Sequence, residues 1–211
     1  MTTLYFVRHG ESYANLNNLF TGQANASLTR RGRAQAANTD RLLRDVQFDA
    51  IYSSDLARAR ETGDTIAATH KLTLQTDERL REIFGGDWED IPFKSITKFP
   101  EYDLWYHKIG LSRCPNGESV AEVQARVRAA VEDIVRANPG KTVCISTHAT
   151  PIRVMEGVWT DTPLEELHNI PWVTNASVTV VEYDDDMHGR IVERDVHHHL
   201  SGIVTNLPEG V

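Results

Sequence analysis

LYFVRHGE, residues 4–11, decides how this chain is read. Leu4, Tyr5, Phe6 and Val7 form a short apolar run rich in β-formers, the pattern of a strand buried on both faces of a sheet. Arg8, His9 and Gly10 follow at once. A cation, an imidazole and a residue without a side chain therefore stand where that strand ends. Open α/β sheets bind ligands just beyond the carboxyl ends of their strands. A second apolar run, TVCIST at 142–147, also ends on a histidine, His148. Both rings are expected to face one anion pocket, with His9 as the attacking group.

The 211 residues suit one sizeable core, and no linker or repeat divides them, so a single domain over 1–211 is expected. Formal charge is −8, from 22 basic and 30 acidic side chains. That balance argues against nucleic acid or an acidic membrane surface as the partner, while leaving room for a local basic pocket. The two cysteines, Cys114 and Cys144, make no disulfide framework, and Cys144 lies in a strand pattern as a small buried side chain. No signal peptide or membrane-spanning run is evident, so the cytoplasm is the expected location.

Downstream, 11–28 reads as a polar loop. Thr29 caps a helix over 30–45, with Ala34, Ala37, Leu42 and Leu43 as its apolar positions. A short strand at 50–53 is followed by Ser54 and Asp55 as candidate caps. The next helix buries Leu56, Ala59, Gly63, Ile66 and Ala67. Arg58 falls in its first turn, where an arginine is either solvated or holding an anion. A weak strand covers 72–76. Residues 78–118 mix glycine, proline and aromatics without one long period, and read as short helices and loops covering the site. Trp88, Trp105 and Tyr106 are candidates for its wall.

Val120, Val123, Val127, Val131 and Ile134 then step by three and four through the strongest helix, 119–137. After the strand 142–147 come a helix near 151–157, a helical segment near 164–168, and two strands, 176–183 and 191–196. The turn Asp184–Asp186 between those strands reads as solvated. Adjacent His197, His198 and His199 share no face, so they are expected at the surface. Alternating strands and helices predict a three-layer α/β/α sandwich on a mostly parallel, mixed sheet.

Taken together, several stations resemble the histidine phosphatase superfamily, the phosphoglycerate-mutase-like fold. They are Arg8-His9-Gly10, Ser53 to Thr62 (SSDLARARET), Leu80-Arg81-Glu82 with Gly86 and Trp88-Glu89, Gly117-Glu118-Ser119, and Ser146-Thr147-His148 before Ile152-Arg153. The resemblance runs in order from residue 8 to residue 153. It implies a covalent phosphohistidine on His9, a phosphate clamp of Arg8, Arg58 and His148, and Glu82 as proton donor. It also implies that Asn15, Thr21, Gly22, Gln23 and Ala149 line the phosphate side, with 83–118 as a lid or specificity insertion. Three positions depart from the family pattern. Ala149 follows His148 where glycine is usual, the loop 22–29 lacks the usual Asp and Pro, and Asp90 replaces a frequent glycine.

The chemistry fits these residue types independently. A phosphate dianion repels anionic nucleophiles, whereas a neutral imidazole nitrogen is nucleophilic near neutrality if its other nitrogen is fixed, most simply by a backbone carbonyl. Guanidiniums grip non-bridging oxygens in fork geometry and hold the charge of the transition state. A second histidine, its protonated form favoured by the charge of the bound dianion, adds a charge-assisted bond, and a carboxylic acid protonates the leaving alkoxide. No metal or other cofactor is required. Three readings stand. They are a phosphatase of a small phosphorylated metabolite, a 2,3-bisphosphoglycerate-dependent phosphoglycerate mutase, and a non-catalytic phospholigand-binding module. Mutases typically show Glu-Arg-x-Tyr-Gly at the acid, where this chain has Glu82-Ile83-Phe84-Gly85-Gly86. Monomer and homodimer are both open.

Overall fold

The computed structural model describes residues 1–205, and the opening stretch forms β1 (Thr2–Arg8). Next come α1 (Tyr13–Leu16), β2 (Leu19–Phe20), α2 (Arg30–Leu43), β3 (Ala50–Ser53), α3 (Ala57–His70) and β4 (Leu74–Thr76). The irregular middle holds β5 (Ile91–Pro92), α4 (Phe93–Ile96) and α5 (Tyr102–His107) among short 3₁₀ turns. The chain then runs through α6 (Val120–Ala137), β6 (Thr142–Thr147), α7 (Ala149–Trp159), β7 (Val178–Tyr183) and β8 (Gly189–Val196). Among the described residues no helix is long and apolar enough to cross a membrane.

Six strands form one sheet in the order β4-β3-β6-β1-β7-β8. β1 pairs in parallel with β6, as β3 does with both β6 and β4, while β7 and β8 add an antiparallel edge. The sandwich and its mixed sheet are as the strand and helix alternation predicts. Successive side chains of a strand point to opposite faces. Leu4 and Phe6 accordingly join α6 and α7 in one core, and Val7 joins Leu43, Ile51 and Ile66 in the other. On α6, Val120, Val123, Val127, Val131 and Ile134 are all buried. Each contributes roughly 1.5–3 kcal/mol relative to an exposed position.

Four expectations are corrected. The 11–28 stretch carries α1, closed by a reciprocal cap between Ser12 and Asn15, and β2, paired with β5. The buried face of α2 is Gly32, Gln35, Ala36, Thr39, Asp40 and Leu43, whereas Ala34 is exposed. Gln35 tolerates burial because it accepts from the Glu11 N–H at 2.7 Å and donates to the Ile203 carbonyl at 2.7 Å. Leu56, not Ser54 or Asp55, is the N-cap of α3. The Asp55 carboxylate instead takes a double hydrogen bond from Arg81. Finally, His197 and His198 are exposed, but His199 is partly buried, its Nε2 3.0 Å from Thr39 Oγ1. The expected tail extends beyond 205 and lies there outside the described residues.

Candidate active site

The carboxyl ends of β1, β3 and β6 meet around His9, which follows β1 and is 4% exposed. Its main-chain N–H donates to the Thr147 carbonyl at 3.0 Å, tying the ends of β1 and β6 together. Nδ1 of the ring lies 2.7 Å from the Gly10 carbonyl. A carbonyl can only accept, so Nδ1 carries the proton and Nε2 keeps its lone pair. Burial, reinforced by Arg58 and then Arg8, holds the ring's pKa well below 6.5 and leaves it neutral.

Gly10 owes its place to crowding. A Cβ there would stand 2.4 Å from the Gly32 carbonyl oxygen. The loop after β1 and the first turn of α2 thus touch backbone to backbone. Glu11, buried next door, accepts from Thr29, Arg31 and Thr205. The segment 203–205 is in this way fastened two residues from the central ring.

Arg58 sits in the first turn of α3 yet is only 1% exposed, which removes the solvated alternative. The loop after β2 folds over it. Its Nε donates to His9 Nε2 at 3.2 Å, and its terminal nitrogens donate to the Gly22 and Ala24 carbonyls at 2.7 and 2.9 Å. Arg8 donates to the Val173 carbonyl, and its Nε has no partner among the described residues. Burial pulls both guanidiniums down to about 10, and the nearby Glu82 charge opposes that pull in each case. Both remain cationic near neutrality.

His148 caps α7, its ring centroid 5.1 Å from that of His9. Its Nε2 lies 2.8 Å from Ser54 Oγ, which also accepts the Leu56 N–H at 3.3 Å. Ser54 therefore directs its own hydrogen at Nε2. Burial, then Arg58 and His9, keep His148 neutral, so its proton sits on Nδ1, a buried atom with no partner among the described residues. Glu82 accepts from the Ile83 N–H at 2.8 Å and from the Thr150 N–H, in the first turn of α7, at 3.3 Å.

A cleft open to solvent lies over this cluster. Arg8, His9, Asn15, Thr21, Arg58, Glu82 and Ala149 line it. Gly22, Gln23 and His148 are not among its lining residues. Gly22 presents its carbonyl to Arg58 from a left-handed backbone (φ +52°), and the Gln23 N–H donates to Glu89 at 2.6 Å. They brace the wall from behind. Of the candidate aromatics, Trp105 lines the cleft, Trp88 is fully buried beneath Phe20, and Tyr106 is exposed. Sequence reading missed Ser54, Glu89, Thr150 and Trp172. Ser54 and Glu89 lay inside quoted motifs, but their partners His148 and Gln23 are 94 and 66 residues away.

The family model described as histidine phosphatase superfamily (branch 1) matches residues 4–194. A probable phosphoglycerate mutase GpmB of Yersinia pestis is 31% identical over 189 residues, covering 88% of this chain and 86% of that protein. Among solved structures, YhfR of Bacillus stearothermophilus superposes with a TM-score of 0.89 at 32% identity, over 95% of this chain and 100% of that one. A mycobacterial glucosyl-3-phosphoglycerate phosphatase gives 0.86 at 26% identity, over 92% and 99%.

Proposed function

This chain belongs to the histidine phosphatase superfamily, and from that membership we propose that it hydrolyses a small phosphomonoester through a phosphohistidine on His9. The observation that carries the proposal is the ring itself. It is neutral, locked to the Gly10 carbonyl through Nδ1, and lines the cleft between two guanidiniums.

In this reading the His9 Nε2 lone pair forms the N–P bond as the P–O ester bond breaks. Arg58 gives up its hydrogen bond to Nε2 and turns that donor to a phosphate oxygen, while Arg8 Nε and the Nδ1–H of His148 find acceptors that the described residues do not supply. At the start of α7 the Ala149 N–H is offered to the same anion, while the Thr150 N–H stays with Glu82. Asn15 and Thr21 contact it from the cleft wall, with Gly22 and Gln23 holding that wall. A phosphomonoester monoanion delivers its proton to Glu82, which passes it to the leaving alkoxide. Water then attacks the phosphohistidine, returns a proton to Glu82, and inorganic phosphate leaves. Residues 83–118 act as the specificity segment, contributing Phe93 and Trp105 to the cleft. The buried free thiols Cys114 and Cys144 support a cytoplasmic setting.

The test is hydrolysis of p-nitrophenyl phosphate with acid quenching. Wild type should accumulate acid-labile protein-bound phosphate, and His9→Ala should lose both that label and about 10⁴-fold or more in kcat. Hydrolysis surviving in His9→Ala would end the proposal. The GpmB relative favours a second reading, the mutase. It requires interconversion of phosphoglycerates dependent on 2,3-bisphosphoglycerate, which the same preparation can be assayed for. Phosphate binding with neither activity would leave a binding module.

A further inference from the structure

Beyond the polar cluster, the cleft is lined by Leu19, Phe20, Phe93, Trp105 and Trp172. These rings are continuous. Phe20 lies 5.5 Å from Phe93 and 5.4 Å from Trp105, and Trp105 stacks on Trp172 at 6.5 Å with planes 28° apart. Among the described residues the only cations on the lining are Arg8 and Arg58. Both belong to the His9 end, Arg8 as its chain neighbour and Arg58 by direct hydrogen bond. Among the described residues Glu82 is the one carboxylate on the lining, and it too belongs to the phosphate end. Arg153 does approach the wall, its guanidinium carbon 4.2 Å from the centroid of Trp172. It is nevertheless 6% exposed, hydrogen-bonded to the His168 carbonyl, and absent from the lining.

We infer that the alcohol half of the substrate is uncharged and largely apolar, with a flat or aromatic portion stacking along Phe93, Trp105 and Trp172. A carboxylate or second phosphate on that half is rejected. The inference rests on the phosphate site proposed above and deepens it. An anionic substituent there would shed its water and find no cation in exchange, while a ring would bury apolar area against aromatic edges and faces.

Phosphonates separate this claim from turnover, because their P–C bond offers no leaving group. Calorimetric affinities would be compared for methylphosphonate, phenylphosphonate and para-carboxyphenylphosphonate, alongside hydrolysis of phenyl phosphate. Phenylphosphonate should bind at least about tenfold more tightly than either other ligand. Trp172→Leu should shrink the advantage of phenyl over methyl, and Phe93→Arg should raise the affinity of the carboxylated ligand. Equal affinities, or a preference for the carboxylated ring, would overturn the inference. If the phosphonate order holds while phenyl phosphate is not cleaved, the apolar subsite stands and the phosphatase reading falls.

Discussion

Burial and neighbouring guanidiniums keep His9 and His148 uncharged, so each ring has a folded-state pKa below its ordinary value of 6.5. The unfolded chain therefore binds more protons than the folded one once the pH drops below 6.5. The stability these rings contribute is complete above that value and is lost on acidification. In phosphate-free buffer, Tm should fall between about pH 7 and pH 5, and the fall should be shallower in His148→Gln. Parallel profiles would show that the ring does not titrate as described. Gly10 offers a second test at this scale. A methyl group there meets a carbonyl oxygen at 2.4 Å, and Gly10→Ala should cost about 3 kcal/mol in urea unfolding. Single residues were also where sequence reading was least secure. A strand ending on His9 is visible as a pattern, but Arg58 in a first helical turn reads as solvated until the loop that covers it is seen.

Among elements, those built on local periodicity were legible. β3 and β6 fall where apolar runs place them, and α6 follows its valine steps. The buried face of α2 was not, because Gln35 and Thr39 are satisfied by partners far along the chain. The strap 171–174 was equally invisible. Two register shifts between β7 and β8 mark a bulged edge, and Asp195 on β8 has a left-handed backbone, φ +49°. Bulges re-aim side chains. Here the Asp195 carboxylate takes the Thr174 N–H at 2.6 Å, while Arg194 donates to the Pro171 carbonyl at 2.6 Å. Between them lies Val173, whose carbonyl holds Arg8. Asp195 thus positions Arg8, and through it the phosphate clamp proposed above. Asp195→Ala should weaken inhibition by inorganic phosphate about tenfold, with Asp195→Asn intermediate. An unchanged inhibition constant with a lowered Tm would make its role merely structural.

For the molecule as a whole, the net charge of −8 conceals a cationic pocket, because two arginines buried beyond the carboxyl ends of the central strands outweigh a dispersed acidic surface only locally. Inorganic phosphate at about a hundred times its Kd should therefore add about 2.7 kcal/mol of stability, seen as a raised Tm that chloride of equal ionic strength does not reproduce. The rise should vanish in Arg58→Ala. Fold class was readable because strands and helices alternate plainly, whereas the cleft wall draws on segments that no local pattern links. The sheet order has one more consequence. β1 is bracketed by β6 and β7, which begin at Thr142 and Val178. Along the chain the segment that leads into His9 is made before either neighbour, and more than a hundred residues separate it from the nearer of the two, β6. Until both are made its apolar edges are open to passing nascent chains, so slow synthesis and crowded polysomes are where this enzyme risks aggregating.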